Sequence, residues 1–171
     1  MPKITVVQLG KIPEDVLTAI TAELREGLDL ATETTQPIEI PKELCNFVRQ
    51  QYPGPVILKF ISEKFPGRSL GVTNEDLYAE DLNFIFGQAY SNGNAAVVSI
   101  LRLDPAFYKQ NPNKKILIER AVKEIVHETG HMFGLGHCPD TTCVMSFSNN
   151  VGDVDRKSKS MCSACHRRLT I

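Results

Sequence analysis

Residues 127–138 read HETGHMFGLGHC, and this stretch holds three of the chain's four histidines and one of its five cysteines. On a helix, residues four apart lie ~40° apart around the axis and one turn along it. His127 and His131 can therefore converge on one cation. Glu128 sits ~100° around from His127, close enough to reach a metal-bound water without displacing it. Gly134 permits the left-handed conformation that ends a helix, and two residues later His137 can swing back as a third nitrogen ligand. Such a set leaves one position open for water, with Glu128 as its base.

Single histidines are more often core or surface residues than ligands. Here five specified positions fall within eleven residues, on an expected helix that stops where the pattern requires. A closed structural zinc site is the other reading, but it has no use for a carboxylate at 128.

The remaining thiols form a second pattern. Cys138-x4-Cys143 and Cys162-x2-Cys165 are two knuckles separated by 18 residues, a spacing suited to a four-thiolate zinc site. That site would carry a formal charge of −2, which Arg156, Lys157, Lys159, Arg167 and Arg168 are near enough in sequence to offset. Two disulfides are the alternative. The odd cysteine count and the absence of a signal-like apolar run at the start favour thiolates in a reducing, cytoplasmic setting. A nucleic-acid-binding zinc ribbon lacks the aromatic series and long basic face it would need. His166 reads as an exposed histidine beside a knuckle, and Cys45 as a small, partly buried apolar residue.

At 171 residues, 42% hydrophobic, 23% charged and with a formal net charge of −1, the chain is about one ordinary globular domain. No apolar run approaches the ~20 residues of a membrane span, and the charge gives no argument for nucleic acid or membrane partners. Residues 4–9 read as a buried strand. Pro13 opens a helix with Val16, Leu17, Ile20, Leu24 and Leu28 on one face. Residues 29–40 look extended, with Pro37 favouring an edge. Residues 52–55 read as a turn and 56–65 as a helix. Strands are expected over 69–72, 83–88 and 95–103, the last two joined through Asn92-Gly93 as a hairpin. The sheet is thus mixed, with one antiparallel strand. A long helix from Asn111-Pro112 to Gly134 carries the histidines. Residues 135–171 show little periodicity, so a metal would have to order them.

HETGHMFGLGHC, followed by CVM (143–145) and CSAC (162–165), resembles the archaemetzincins, intracellular members of the metzincin clan of zinc metallopeptidases. LGVTNEDLY (70–78), NFIFGQA (83–89) and AVVSILRL (96–103) extend the likeness over most of the chain. The resemblance implies a mixed α+β fold with a twisted mixed sheet and two main helices in an N-terminal subdomain (1–134). A small zinc-stabilised C-terminal subdomain (135–171) would lie below the active-site cleft. It also implies two Zn2+ per chain: a catalytic one on His127, His131 and His137 with Glu128 as general base, and a structural one on Cys138, Cys143, Cys162 and Cys165. Met145 would be the apolar floor beneath the imidazoles. Some relatives in the clan carry a tyrosine two residues later, where this chain has Phe147, so that oxygen cannot assist the metal. The rim strand, carrying Asn83, Phe84, Ile85, Phe86 and Gly87, would bind a peptide or protein substrate. The alternative is a binding module, for peptide or nucleic acid, that keeps this shape without turnover.

Overall fold

A computed structural model describes all residues, 1–171. In chain order the elements are β1 (Lys3–Leu9), α1 (Glu14–Glu26), β2 (Ala31–Thr34), β3 (Tyr52–Pro53), α2 (Gly54–Lys64), β4 (Arg68–Thr73), β5 (Leu77–Tyr78), β6 (Gly87–Ala89), β7 (Ala95–Ser99), α3 (Lys114–Met132), α4 (Val151–Arg156) and α5 (Ser163–Arg168). Short 3-10 turns occupy Lys42–Leu44, Leu101–Leu103 and Pro105–Tyr108.

The main sheet has the order β2-β1-β4-β7-β6, parallel throughout except for β6, which runs antiparallel to β7 at one edge. Alternation along β1 assigns its side chains to two cores. Ile4 and Val6 join Leu70, Val72, Ala96 and Val98 against α1 and α3, whereas Val7 and Leu9 join Ala95 and Val97 against α2. Because both faces are covered, β4 and β7 are buried along nearly their whole length, as the inner strands of parallel sheets are. The mixed sheet with its single antiparallel strand is as expected, with α2 as a third substantial helix beside α1 and α3.

Three local expectations need correction. Residues 52–55 are not a free turn: Tyr52 and Pro53 pair in parallel with Leu77 and Tyr78, and α2 already begins at Gly54 with Pro55 in its first turn. Residues 83–86 are not regular strand; only Gly87–Ala89 pair with β7, while Ile85 makes one bridge to Leu77. Finally, β7 stops at Ser99. The Ser99 hydroxyl donates to Glu75 O at 2.6 Å and accepts from Leu101 N–H at 3.3 Å, drawing residues 101–103 into a 3-10 turn.

The C-terminal stretch has more regular structure than its periodicity suggests. Asn150 caps α4 by accepting from Asp153 N–H at 3.0 Å. Arg120 on α3 grips Asp155 on α4 with two bonds of 2.8 and 2.9 Å, and donates to Leu103 O at 2.9 Å. A third, smaller core of Val126, Leu135, Cys143, Val144, Met145 and Cys165 joins this part of the chain to α3.

Candidate active site

Helix α3 starts where the Asn113 side chain accepts from Ile116 N–H at 3.1 Å, and ends through Gly134 at φ +93°. The three histidines meet at that end. His127 Nδ1 lies 2.7 Å from Val144 O, and His131 Nδ1 lies 2.7 Å from Leu135 O. A carbonyl can only accept, so each Nδ1 carries the proton and each Nε2 presents a lone pair. Yet the two Nε2 atoms are 3.0 Å apart. Two lone pairs facing each other at that distance repel unless a cation lies between them. His137 completes the group, its ring centroid 5.4 Å from that of His127 and 4.8 Å from that of His131. Tetrahedral zinc with Zn–N bonds of ~2.0–2.1 Å sets nitrogens about 3.3 Å apart, close to what is seen here. Burial lowers the proton affinity of all three imidazoles, that of His127 most strongly.

Glu128 is 4% exposed, and its Oε2 has no hydrogen-bond partner. Burial, followed by the nearby Glu124 carboxylate, raises its pKa well above the usual carboxylate range. Its side chain lies against β6, where a Cβ on Gly87 would come within 2.8 Å of Glu128 Cγ and Oε1. Glycine at 87 is thus required for the rim strand to approach the carboxylate.

Met145 is wholly buried beneath this helix end. Its Sδ would sit only 2.4 Å from a Cβ placed on Gly130, between the two helical histidines. Sequence reasoning missed Gly130. Its only signal is a glycine inside a helix, which costs about 1 kcal/mol against alanine and so asks for a packing reason.

Also unforeseen is a buried ion pair. Lys157, expected near the thiolates, is instead fully buried, with Nζ 2.9 Å from Glu124 Oε1 and 3.3 Å from Ser146 O. The Glu124 contact is an ion pair set off the line of a good hydrogen bond, since Oε1 has no partner in hydrogen-bond geometry. Lys159 and Arg156 are likewise committed elsewhere, to Glu23 at 2.6 Å and Asp153 at 3.4 Å. Arg167 and Arg168 are exposed in the last turn of α5.

The four C-terminal cysteines form a second cluster whose Sγ atoms all lie within 4.8 Å of one another. All are free thiols, and Cys138 Sγ is 3.8 Å from Cys162 Sγ. A disulfide requires ~2.05 Å, whereas tetrahedral zinc with ~2.3 Å bonds sets sulfurs about 3.8 Å apart. Donor chemistry and spacing both fit that ion. The Cys165 backbone N–H pulls the Cys162 thiol down to about 7, while burial pushes Cys165 up. The clusters are joined through the backbone: Cys138 N–H donates to Met145 O at 2.9 Å, and Val144, which faces His127, lies between Cys143 and Met145. Cys45 belongs to neither, packing at the edge of the second core with Sγ 3.7 Å from Gln51 O. His166 is exposed.

A cleft of about 440 Å³ runs past the histidines. Residues 83–89 line one side, including all five expected rim residues, and Phe147, Ser148 and Asn149 line the other. Phe147 is 49% exposed, its ring centroid 5.3 Å from that of His137.

The model of peptidase family M54 matches residues 56–170. The archaemetzincin of Pyrococcus furiosus is 39% identical, over 97% of this chain and 91% of its own length. Among solved structures, the archaemetzincin of Methanopyrus kandleri superposes with a TM-score of 0.87 at 39% identity, covering 98% of this chain and 93% of that one. The archaemetzincin of Archaeoglobus fulgidus, solved with malonate, gives 0.86 at 34% identity, covering 98% and 99%. The chain belongs to peptidase family M54, the archaemetzincins, and is a zinc metallopeptidase.

Proposed function

We propose that His127, His131 and His137 hold the catalytic zinc, that Glu128 is the general base, and that Cys138, Cys143, Cys162 and Cys165 hold a second, structural zinc. The observation that carries this reading is the pair of Nε2 lone pairs 3.0 Å apart, each fixed by an Nδ1–H bond to a carbonyl. Bound zinc supplies a Lewis acid that lowers the pKa of water toward ~7 and polarises the scissile carbonyl.

The chain's own residues do the rest. The Glu128 carboxylate takes the proton from the attacking water and hands it to the departing amine, and burial, which raises its proton affinity, favours its holding that proton in between. Strand β6 is an edge, so its outward backbone groups can pair with an extended substrate, with Gly87 letting that strand lie close against Glu128. Asn83, Phe84, Ile85 and Phe86 continue that wall. Phe147 has no oxygen to offer, so it packs against His137 as an apolar boundary. Met145 and Gly130 form the close-packed floor that fixes both helical histidines. In this reading residues 1–134 carry the sheet and the catalytic helix, and 135–171 form a unit ordered by the second metal. No helix is long and apolar enough to cross a membrane, and four thiols poised for metal suit a reducing compartment such as the cytoplasm.

Metal analysis of the purified chain tests the reading, with two zincs per chain expected together with peptide hydrolysis that a chelator abolishes. One zinc per chain, or hydrolysis indifferent to chelation, would overturn it.

A further inference from the structure

Glu124 has no role in the chemistry above, yet its setting is unusual. It lies one helical turn before Glu128, is 3% exposed, and lines the cleft. Lys157 touches it but does not line the cleft, so the ammonium compensates the carboxylate from the far side. The only other cation near it, Lys123, acts from a distance, its ammonium being committed to Val154 O at 3.1 Å and Asp155 O at 3.3 Å. A buried carboxylate has about four acceptor sites, and one off-line ion pair leaves most of them unfilled.

The surroundings point the same way. Ser148 Oγ and Glu128 Oε2 are likewise buried without partners, and both residues line this cleft. No lysine or arginine is among the cleft's lining residues, so its charged side chains other than histidine are all acidic. Glu124 and Glu128 lie four residues apart on one helix, where like charges repel. A cationic donor entering from the cleft would offset that repulsion and fill the empty acceptor sites together. An acidic side chain would add to both costs.

Resting on the peptidase reading, we propose that Glu124, backed by Lys157, is a specificity-determining residue that binds a basic substrate side chain, lysine or arginine, at a position flanking the scissile bond. The contact is a charge-assisted hydrogen bond to the carboxylate, with the Ser148 hydroxyl available as a second acceptor. Losing one such bond is worth about a tenfold change in selectivity. The site discriminates by charge: a glutamate there would bury a third carboxylate beside Glu124 and Glu128, with no lysine or arginine lining the cleft to meet it.

Digesting a randomised peptide library and reading the cut sites by mass spectrometry tests this. For the wild-type protein, one position beside the cut should be enriched in lysine and arginine over aspartate and glutamate by about tenfold or more. Glu124→Gln should flatten that ratio. If the amide variant folds poorly because Lys157 loses its partner, the double replacement Glu124→Leu with Lys157→Met removes the pair together and should flatten it equally. No position preferring lysine over glutamate, or a preference surviving both variants, overturns the proposal. Binding separates it from the catalytic reading. Fluorescently labelled peptides differing only in lysine or glutamate, titrated against Glu128→Ala, should differ in affinity even if no peptide is ever cut. Equal affinities would sink the recognition claim alone, and a wild-type protein that binds but never cleaves would sink the peptidase reading alone.

Discussion

Gly130→Ala sets two effects against each other at the centre of the site. Alanine is favoured over glycine in a helix interior by about 1 kcal/mol. Against this, the new methyl would lie 2.4 Å from Met145 Sδ and 2.9 Å from its Cε. Ordinary contact needs ~3.5–4.0 Å, so the thioether must retreat by more than about 1 Å. It has nowhere open to go, being wholly buried among Val126, Leu135, Cys143, Val144 and Cys165. Overpacking of this kind costs about 1–3 kcal/mol, which cancels or exceeds the helix gain. The net is a loss of about 0–2 kcal/mol and a melting temperature lower by up to roughly 8 °C at this chain length.

The sharper test is the same change in a Met145→Ala background. That truncation itself costs about 2–5 kcal/mol, but it removes the clash, so adding Gly130→Ala should then stabilise by about 1 kcal/mol. Denaturant unfolding of the four zinc-loaded proteins gives the coupling energy, expected at about 1–3 kcal/mol. A coupling below about 0.5 kcal/mol would refute the claim that the two residues are in contact.

Lys157→Met should destabilise by about 3–5 kcal/mol, because it strands the Glu124 carboxylate in the interior, and adding Glu124→Leu should recover most of that loss; a single variant within about 1 kcal/mol of wild type in urea would contradict the pairing. Cys162→Ser should lower the melting temperature and the zinc content, whereas Cys45→Ser, at the half-buried edge of the second core, should change neither; the reverse order would mean the thiol assignment is wrong. On the acid side, the Arg120 guanidinium holds the Asp155 carboxyl below its usual 3.8. A depressed folded-state pKa gives stability that is present above the unfolded value and lost as pH falls through the folded one. Asp155→Asn should therefore be less stable than wild type at pH 7, with the gap closing as the pH drops below ~4; a gap that widens on acidification contradicts the sign.

The histidine cluster was legible because it is local. HETGHMFGLGHC spans one helix end, and helix geometry alone turns its spacing into convergence. The cysteine pairs were legible as a group, since thiols at such spacing have few other uses. Alternation and turn residues were enough to place the mixed sheet and its hairpin. What stayed hidden depends on contacts between distant parts of the chain. Gly130 looks like a weak helix residue until Met145 is seen against it. Lys157 reads as one more charge in a basic tail, and only the fold reveals that it is buried under α3. A strand was expected over 83–88, and the resemblance alone made it the rim of the cleft. Ladder pairing covers only Gly87–Ala89, where β7 is alongside; residues 83–86 still line the cleft without it.

The central claim is that one carboxylate does the proton transfer while three imidazoles and four thiolates hold metal. Glu128→Ala separates these roles, since it deletes the base and touches no ligand. Zinc analysis and peptide hydrolysis should be measured on the same preparation of wild type and variant. Two zincs per chain in both proteins, with hydrolysis lost only in the variant, is the predicted result; undiminished hydrolysis by Glu128→Ala with its zinc in place would contradict the mechanism.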